Sequence, residues 1–162
     1  MHDSHAASLA WLDERVKAGG DVRQLADEAV RHLRAHYPHY HWVGIYMVEG
    51  DALQLWSWDG PAATQHVTIP LDSGVCGYAA STGAVANVPD VSQDTRYLEC
   101  FLGTRSELVV PIRAGERVYG EVDIDSDRLA AFDATDEAFL SAFCQRLAER
   151  AEAAGLAGHV PG

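Results

Sequence analysis

The sequence predicts an α+β domain built on a mainly antiparallel central sheet of about six strands, flanked by helices. Three observations support this. Apolar residues recur at helical spacing near both ends of the chain, whereas the middle alternates with period two. The alternating runs are joined by tight turns such as Glu49-Gly50-Asp51 and Ala114-Gly115-Glu116, and hairpins make antiparallel neighbours. Finally, 162 residues at 48% apolar content can bury one core without disulfide or metal staples. No repeat or linker interrupts the chain, so 1–162 reads as one domain, with its core at about 21–153 and a frayed tail at 155–162.

The elements follow in order. Leu9, Leu12 and Val16 give 8–18 one apolar helical face, and Gly19-Gly20 ends it. Asp21 is placed to cap a second helix carrying Leu25, Ala29, Val30 and Leu33, which Pro38 stops. Residues 41–48 and 52–58 are rich in aromatic and β-branched types and form a hairpin, with Trp56 and Trp58 on one face. Short strands are expected at 66–69 and 85–88, on either side of a helix that opens at Gly74 and ends near Gly83. A helical turn is expected over 95–101. Residues 107–113 and 117–125 form a second hairpin. Asp133 or Thr135 then caps a last helix to about residue 153, with Phe139, Phe143 and Leu147 on its buried side.

Composition excludes several function classes. With 24 acidic against 12 basic residues the net charge is −12, and nucleic acid and anionic membranes both require a basic footprint. No apolar run approaches the roughly 20 residues of a membrane span. The first residues lack a basic n-region, so a cytoplasmic protein is expected. Three cysteines, Cys76, Cys100 and Cys144, form no CxxC pair and no even disulfide set. No metal and no cofactor is expected: Pro38 interrupts His36, His39 and His41, and Gly74-x-x-Gly77 lacks the lysine of a phosphate loop.

Chemistry concentrates between Gly74 and Ser126. Asp123 and Asp125 share one face of their strand, which either meets water or lines a polar pocket. The hairpin brings Glu107 beside them, and three converging carboxylates raise at least one pKa by mutual repulsion. Cys100 lies in the irregular stretch before this hairpin and is either an accessible thiol or an inert small hydrophobe. Cys76 opens a helix, where it gains thiolate character from the N-terminus or simply packs. Cys144 reads as structure. Trp42 and Tyr46 share a strand face and either line a pocket or pack the sheet.

Gly74-Val-Cys-Gly-Tyr-Ala79, Val88-Pro-Asp-Val91, Ser106-Glu-Leu-Val-Val-Pro-Ile112 and Gly120-Glu-Val-Asp-Ile-Asp-Ser126 together resemble a GAF domain. More narrowly, they resemble the free methionine-(R)-sulfoxide reductases. The resemblance spans about 25–147. It implies that Cys100, 24 residues after Cys76, attacks the sulfoxide. Asp125 or Asp123 would deliver a proton to the departing oxygen, Glu107 would help hold the substrate ammonium, and Trp42 and Tyr46 would hold its methyl and sulfur end. The family commonly has a resolving cysteine ten residues before Cys76, where this chain has His66. Resolution would then fall to Cys76 or to an external thiol such as thioredoxin. GAF domains often pair through terminal helices, which makes a homodimer an expectation too. The rival reading is a non-catalytic GAF module that binds a small molecule or senses thiol redox state.

Overall fold

The computed structural model describes residues 3–96 and 103–161. Helix α1 (Asp3–Ala18) starts earlier than its apolar spacing suggests, because His5 is buried and stacks on Phe139 with ring centroids 4.2 Å apart. Asp21 caps α2 (Val22–His36), accepting from the Arg23 N–H at 3.0 Å. Next come β1 (Trp42–Glu49), β2 (Ala52–Asp59), β3 (Thr68–Pro70), α3 (Gly74–Thr82), β4 (Ala86–Val88), a 3-10 turn (Val91–Gln93), β5 (Ser106–Ala114), β6 (Arg117–Ser126) and α4 (Ala134–Ala153). Gly83, at φ 72°, ends α3 in the left-handed conformation that glycine tolerates. Asp133 caps α4 in a reciprocal capping box with Asp136.

The six strands form one sheet in the order β3-β2-β1-β6-β5-β4, with every neighbouring pair antiparallel. The α+β class with a six-stranded antiparallel sheet is as the sequence predicts. Alternation sorts the strand residues onto two faces. Val43, Ile45 and Met47, with Val122, Ile124 and Leu108, point toward α1, α2 and α4. The Phe139, Phe143 and Leu12 side chains are fully buried in that layer, each burial contributing about 1.5–3 kcal/mol. The opposite face packs on α3 and holds Trp42, Tyr46, Cys76 and Val109. No helix among the described residues is long and apolar enough to cross a membrane.

Three expectations are corrected. Trp56 and Trp58 do not share an environment: a bulge between Ile45 and Tyr46 breaks the alternation. Trp56 therefore packs against the large helix-covered core, while Trp58 stacks on Trp42 at 6.3 Å on the other face. The third strand is Thr68–Pro70 rather than 66–69, held by pairing with Ala52–Gln54. The tail does not fray throughout. β1 pairs with β6 only as far as Gly120, leaving an open edge, and His159 fills it by exchanging two 2.7 Å backbone hydrogen bonds with Val118.

Candidate functional site

The site grows from the α3-facing side of the sheet. Alternation along β6 puts Glu121, Asp123 and Asp125 in one row, and all three are fully buried. On β1 their direct partners are Tyr46, Gly44 and Trp42 respectively. On β5 they are Pro111, Val109 and Glu107. Directly opposed residues project to the same face, so the register gathers four carboxyls beneath α3. Cys76, in the first turn of α3, reaches down to them and its Sγ donates to Asp123 Oδ2 at 3.4 Å. One donor atom each from Cys76, Glu107 and Asp123 lies within 4.8 Å of the others.

Burial sets the electrostatics. It pushes Glu107 well above the ordinary carboxylate range, and the neighbouring Asp123 and Asp125 push it further by charge and by accepting its proton in hydrogen bonds. Asp125 is also raised by burial and by Asp123, but its hydrogen bonds with Glu107 and Thr104 pull it back toward the ionised form. The hydrogen bonds between the two thus act in opposite directions, raising Glu107 and lowering Asp125. Glu121 is raised by burial and by the Asp123 charge, with the Cys76 thiol offsetting part of this. Among the described residues, no nitrogen or oxygen donor reaches either Glu121 oxygen.

Aromatic side chains wall the same region. Trp42 is fully buried with its indole N–H donating to Ala62 O at 3.1 Å. It lies over Gly44 and Gly60, and a Cβ at either position would collide with its ring. Tyr46, equally buried, donates its hydroxyl to His66 O at 2.7 Å. The half-buried His66 thus presents its backbone to the aromatic wall from the position where a resolving cysteine is expected.

Of the singled-out residues, Trp42, Tyr46, Cys76, Glu107, Asp123 and Asp125 come together on one face of the sheet. Cys100 lies outside the described residues, as does most of the helical turn expected over 95–101. Cys144 is fully buried under β5 and its thiol is pushed far up by desolvation, in keeping with a structural residue. The histidines disperse: His39 meets Asp136 at 2.9 Å, His36 meets the His32 carbonyl, and His41 meets Asp127. Sequence reasoning missed Glu121, although the alternation that singled out Asp123 and Asp125 extends to it.

Comparison with known proteins agrees with this architecture. The family model for the GAF domain matches residues 21–150. The structure of a free methionine-R-sulfoxide reductase from Neisseria meningitidis, in complex with its substrate, superposes with a TM-score of 0.85 at 32% identity, covering 96% of this chain and 94% of that one. A type II enzyme of the same name from Thermoplasma acidophilum gives 0.76 at 38% identity, covering 82% and 96%. The free methionine-R-sulfoxide reductase of Escherichia coli (strain K12) is 34% identical over 59% of this chain and 57% of its own length. A match over most of the chain, on the fold and sheet register described above, places it in the GAF domain family, where it resembles the free methionine-R-sulfoxide reductases.

Proposed function

We propose that this chain reduces free methionine-(R)-sulfoxide to methionine. The observation that carries the proposal is the buried trio Glu107, Asp123 and Asp125 facing Cys76 and walled by Trp42 and Tyr46. A zwitterionic substrate with a polar S=O and a methylthio end requires this combination of carboxylates and soft apolar surface.

In this reading the Cys100 sulfur attacks the sulfoxide sulfur. The oxygen is protonated and passes to Cys100, which becomes a sulfenic acid, while methionine leaves. The sequence suggests Asp125 or Asp123 as proton donor. The hydrogen bonding favours Glu107 as the resting proton carrier and Asp125 as its partner, so the proton comes from the Glu107–Asp125 pair. Asp123 and the carboxylate left after that transfer face the substrate ammonium. Neutral carboxyls also ease a difficulty, because a thiolate beside four ionised carboxylates would be strongly disfavoured. The sulfenic acid then condenses with a second thiol, releasing water, and a further thiol reduces the disulfide. Cys76 or an external dithiol of the thioredoxin class supplies that step.

The test is turnover of free methionine-(R)-sulfoxide by purified protein with dithiothreitol or thioredoxin, beside Cys100→Ser. Turnover lost in the variant is expected. Absence of turnover under either reductant would refute the reaction, and turnover surviving in the variant would refute the role of Cys100. His66 in place of the usual resolving thiol favours a second reading, a small-molecule-binding or thiol redox-sensing module. Calorimetric binding of the sulfoxide without turnover would select it.

A further inference from the structure

We propose that Arg113 is a positioning residue for the site described above: its guanidinium is a strut that holds the C-terminal end of α3 down over the carboxylate row. Helix α3 ends at Gly83 with carbonyls that no later turn satisfies, and its last turn carries no basic residue of its own. Arg113, on β5, supplies the missing cation. Its Nη1 donates to Gly83 O at 2.6 Å, while Nε and Nη2 donate to Gly115 O at 3.0 and 2.8 Å. One side chain thus ties the end of α3 to the β5–β6 turn. A Cβ on Gly83 would stand 3.0 Å from Nη1, so the glycine leaves the guanidinium its room. Among the described residues Arg113 pairs with no carboxylate, which leaves its charge to the carbonyls at the negative end of the helix.

The direction of α3 connects this strut to the site. Cys76, in the first turn, meets Asp123, while the other end of the helix is tied to the turn from which β6 sets out. Glu121 lies on β6 between those two points, so the C-terminal half of α3 is the part that covers it. Ala79 and Ala80, in that half, are fully buried. The two ends of α3 are held differently. At the N-terminal end packing is tight, since a Cβ on Gly77 would stand 2.9 Å from Pro70 O. At the C-terminal end a cavity of about 470 Å³ opens beside Gly83 and Arg113, with Ser141 and Gln145 of α4 on its far side. Without the strut, α3 has one fixed end and one loose end with space next to it. Local opening of this kind requires less free energy than unfolding the whole domain. It admits water to Glu121 and to the Cys76 thiol.

The experiment measures alkylation of Cys76 by iodoacetamide in native buffer, using the full chain with Cys100→Ser and Cys144→Ala so that Cys76 is the remaining thiol. Arg113→Met keeps the apolar stem and removes the cation. It should raise the alkylation rate about tenfold or more, the effect of losing one charge-assisted hydrogen bond. Arg113→Lys restores a donor to one carbonyl and should fall between the two. Gly83→Ala crowds Nη1 from the opposite side and should act in the same direction as Arg113→Met, so the outcome does not hang on one variant folding. Urea denaturation of the same proteins separates local from global opening, and the rate rise should exceed the change in the unfolding equilibrium. An unchanged rate in Arg113→Met, a rise fully accounted for by lost global stability, or no rescue by lysine would overturn the strut. Its importance for catalysis rests on the proposed function, but alkylation needs no sulfoxide turnover, so the two readings fail separately.

Discussion

Replacing Glu121 with Gln should change how the stability of the fold depends on pH. The wild-type carboxyl is fully buried and held well above its ordinary pKa by desolvation and by Asp123. In the unfolded chain it titrates near the usual value of about 4.3. Between that value and the raised folded one, the native state binds a proton that the unfolded state has lost. The sign follows: this contribution is fully present below about pH 4 and declines as pH rises toward the folded pKa. The slope is about 1.4 kcal/mol per pH unit for one group. Over the pH range in which Glu121 stays protonated in the fold, wild type should lose stability with rising pH that the variant keeps. Gln matches the side chain in size and does not ionise, so the difference isolates the proton. Urea denaturation at half-unit steps from pH 5 to pH 8, in chelator-treated buffer, measures both profiles. Superimposable slopes would refute the reasoning, because they would mean that Glu121 titrates in the fold as it does in water.

Other perturbations act on the scaffold. Gly60→Ala drives a methyl into the Trp42 ring near its attachment point, where rotation cannot relieve it. Overpacking of this kind costs about 1–3 kcal/mol, and a shifted indole emission together with a lower melting temperature should report it. Phe143→Ala empties a fully buried position between α4 and the sheet, so chemical denaturation should show a loss of about 3–5 kcal/mol. Asp133→Ala removes the α4 cap. Hydrogen bonds from Thr135 and the Asp136 N–H hold the Asp133 carboxyl down at about 2, so its support is present above the usual aspartate pKa and lost as pH falls toward 2. Thermal melts of wild type and variant should differ near pH 6 and converge near pH 2.

Much of the architecture was legible because its signals are local. Asp21 and Asp133 marked their helices by capping chemistry, and the β5–β6 hairpin declared itself through a tight turn between alternating runs. That hairpin alone juxtaposed Glu107 with Asp125. What escaped was set by contacts distant in sequence. The register shift beside Ile45 reversed the facing of Trp56, and no residue type in that stretch announces a bulge. The tail found an edge of β6 that exists only because β1 ends its pairing at Gly120. Glu121 escaped for a related reason. Alternation assigns it to the Asp123 face but says nothing of whether that face is wet, and only the packing of α3 across the sheet makes it dry.

The same packing decides the character of Cys76, which the sequence left between reactive thiol and filler. Its place in the first turn of α3 offers the positive end of a helix, which favours a thiolate by a fraction of a kcal/mol to about 1 kcal/mol. The fold sets against this a carboxylate at 3.4 Å and a water-free surrounding, both of which favour the thiol. Where that carboxyl is ionised, its charge opposes the pull of the helix. Positive charge entering the cluster, such as a substrate ammonium, shifts the balance at Cys76 toward the thiolate. Its reactivity is thus a property of what occupies the carboxylate row, and a thiolate titration of Cys76 with and without bound cation would measure that dependence directly.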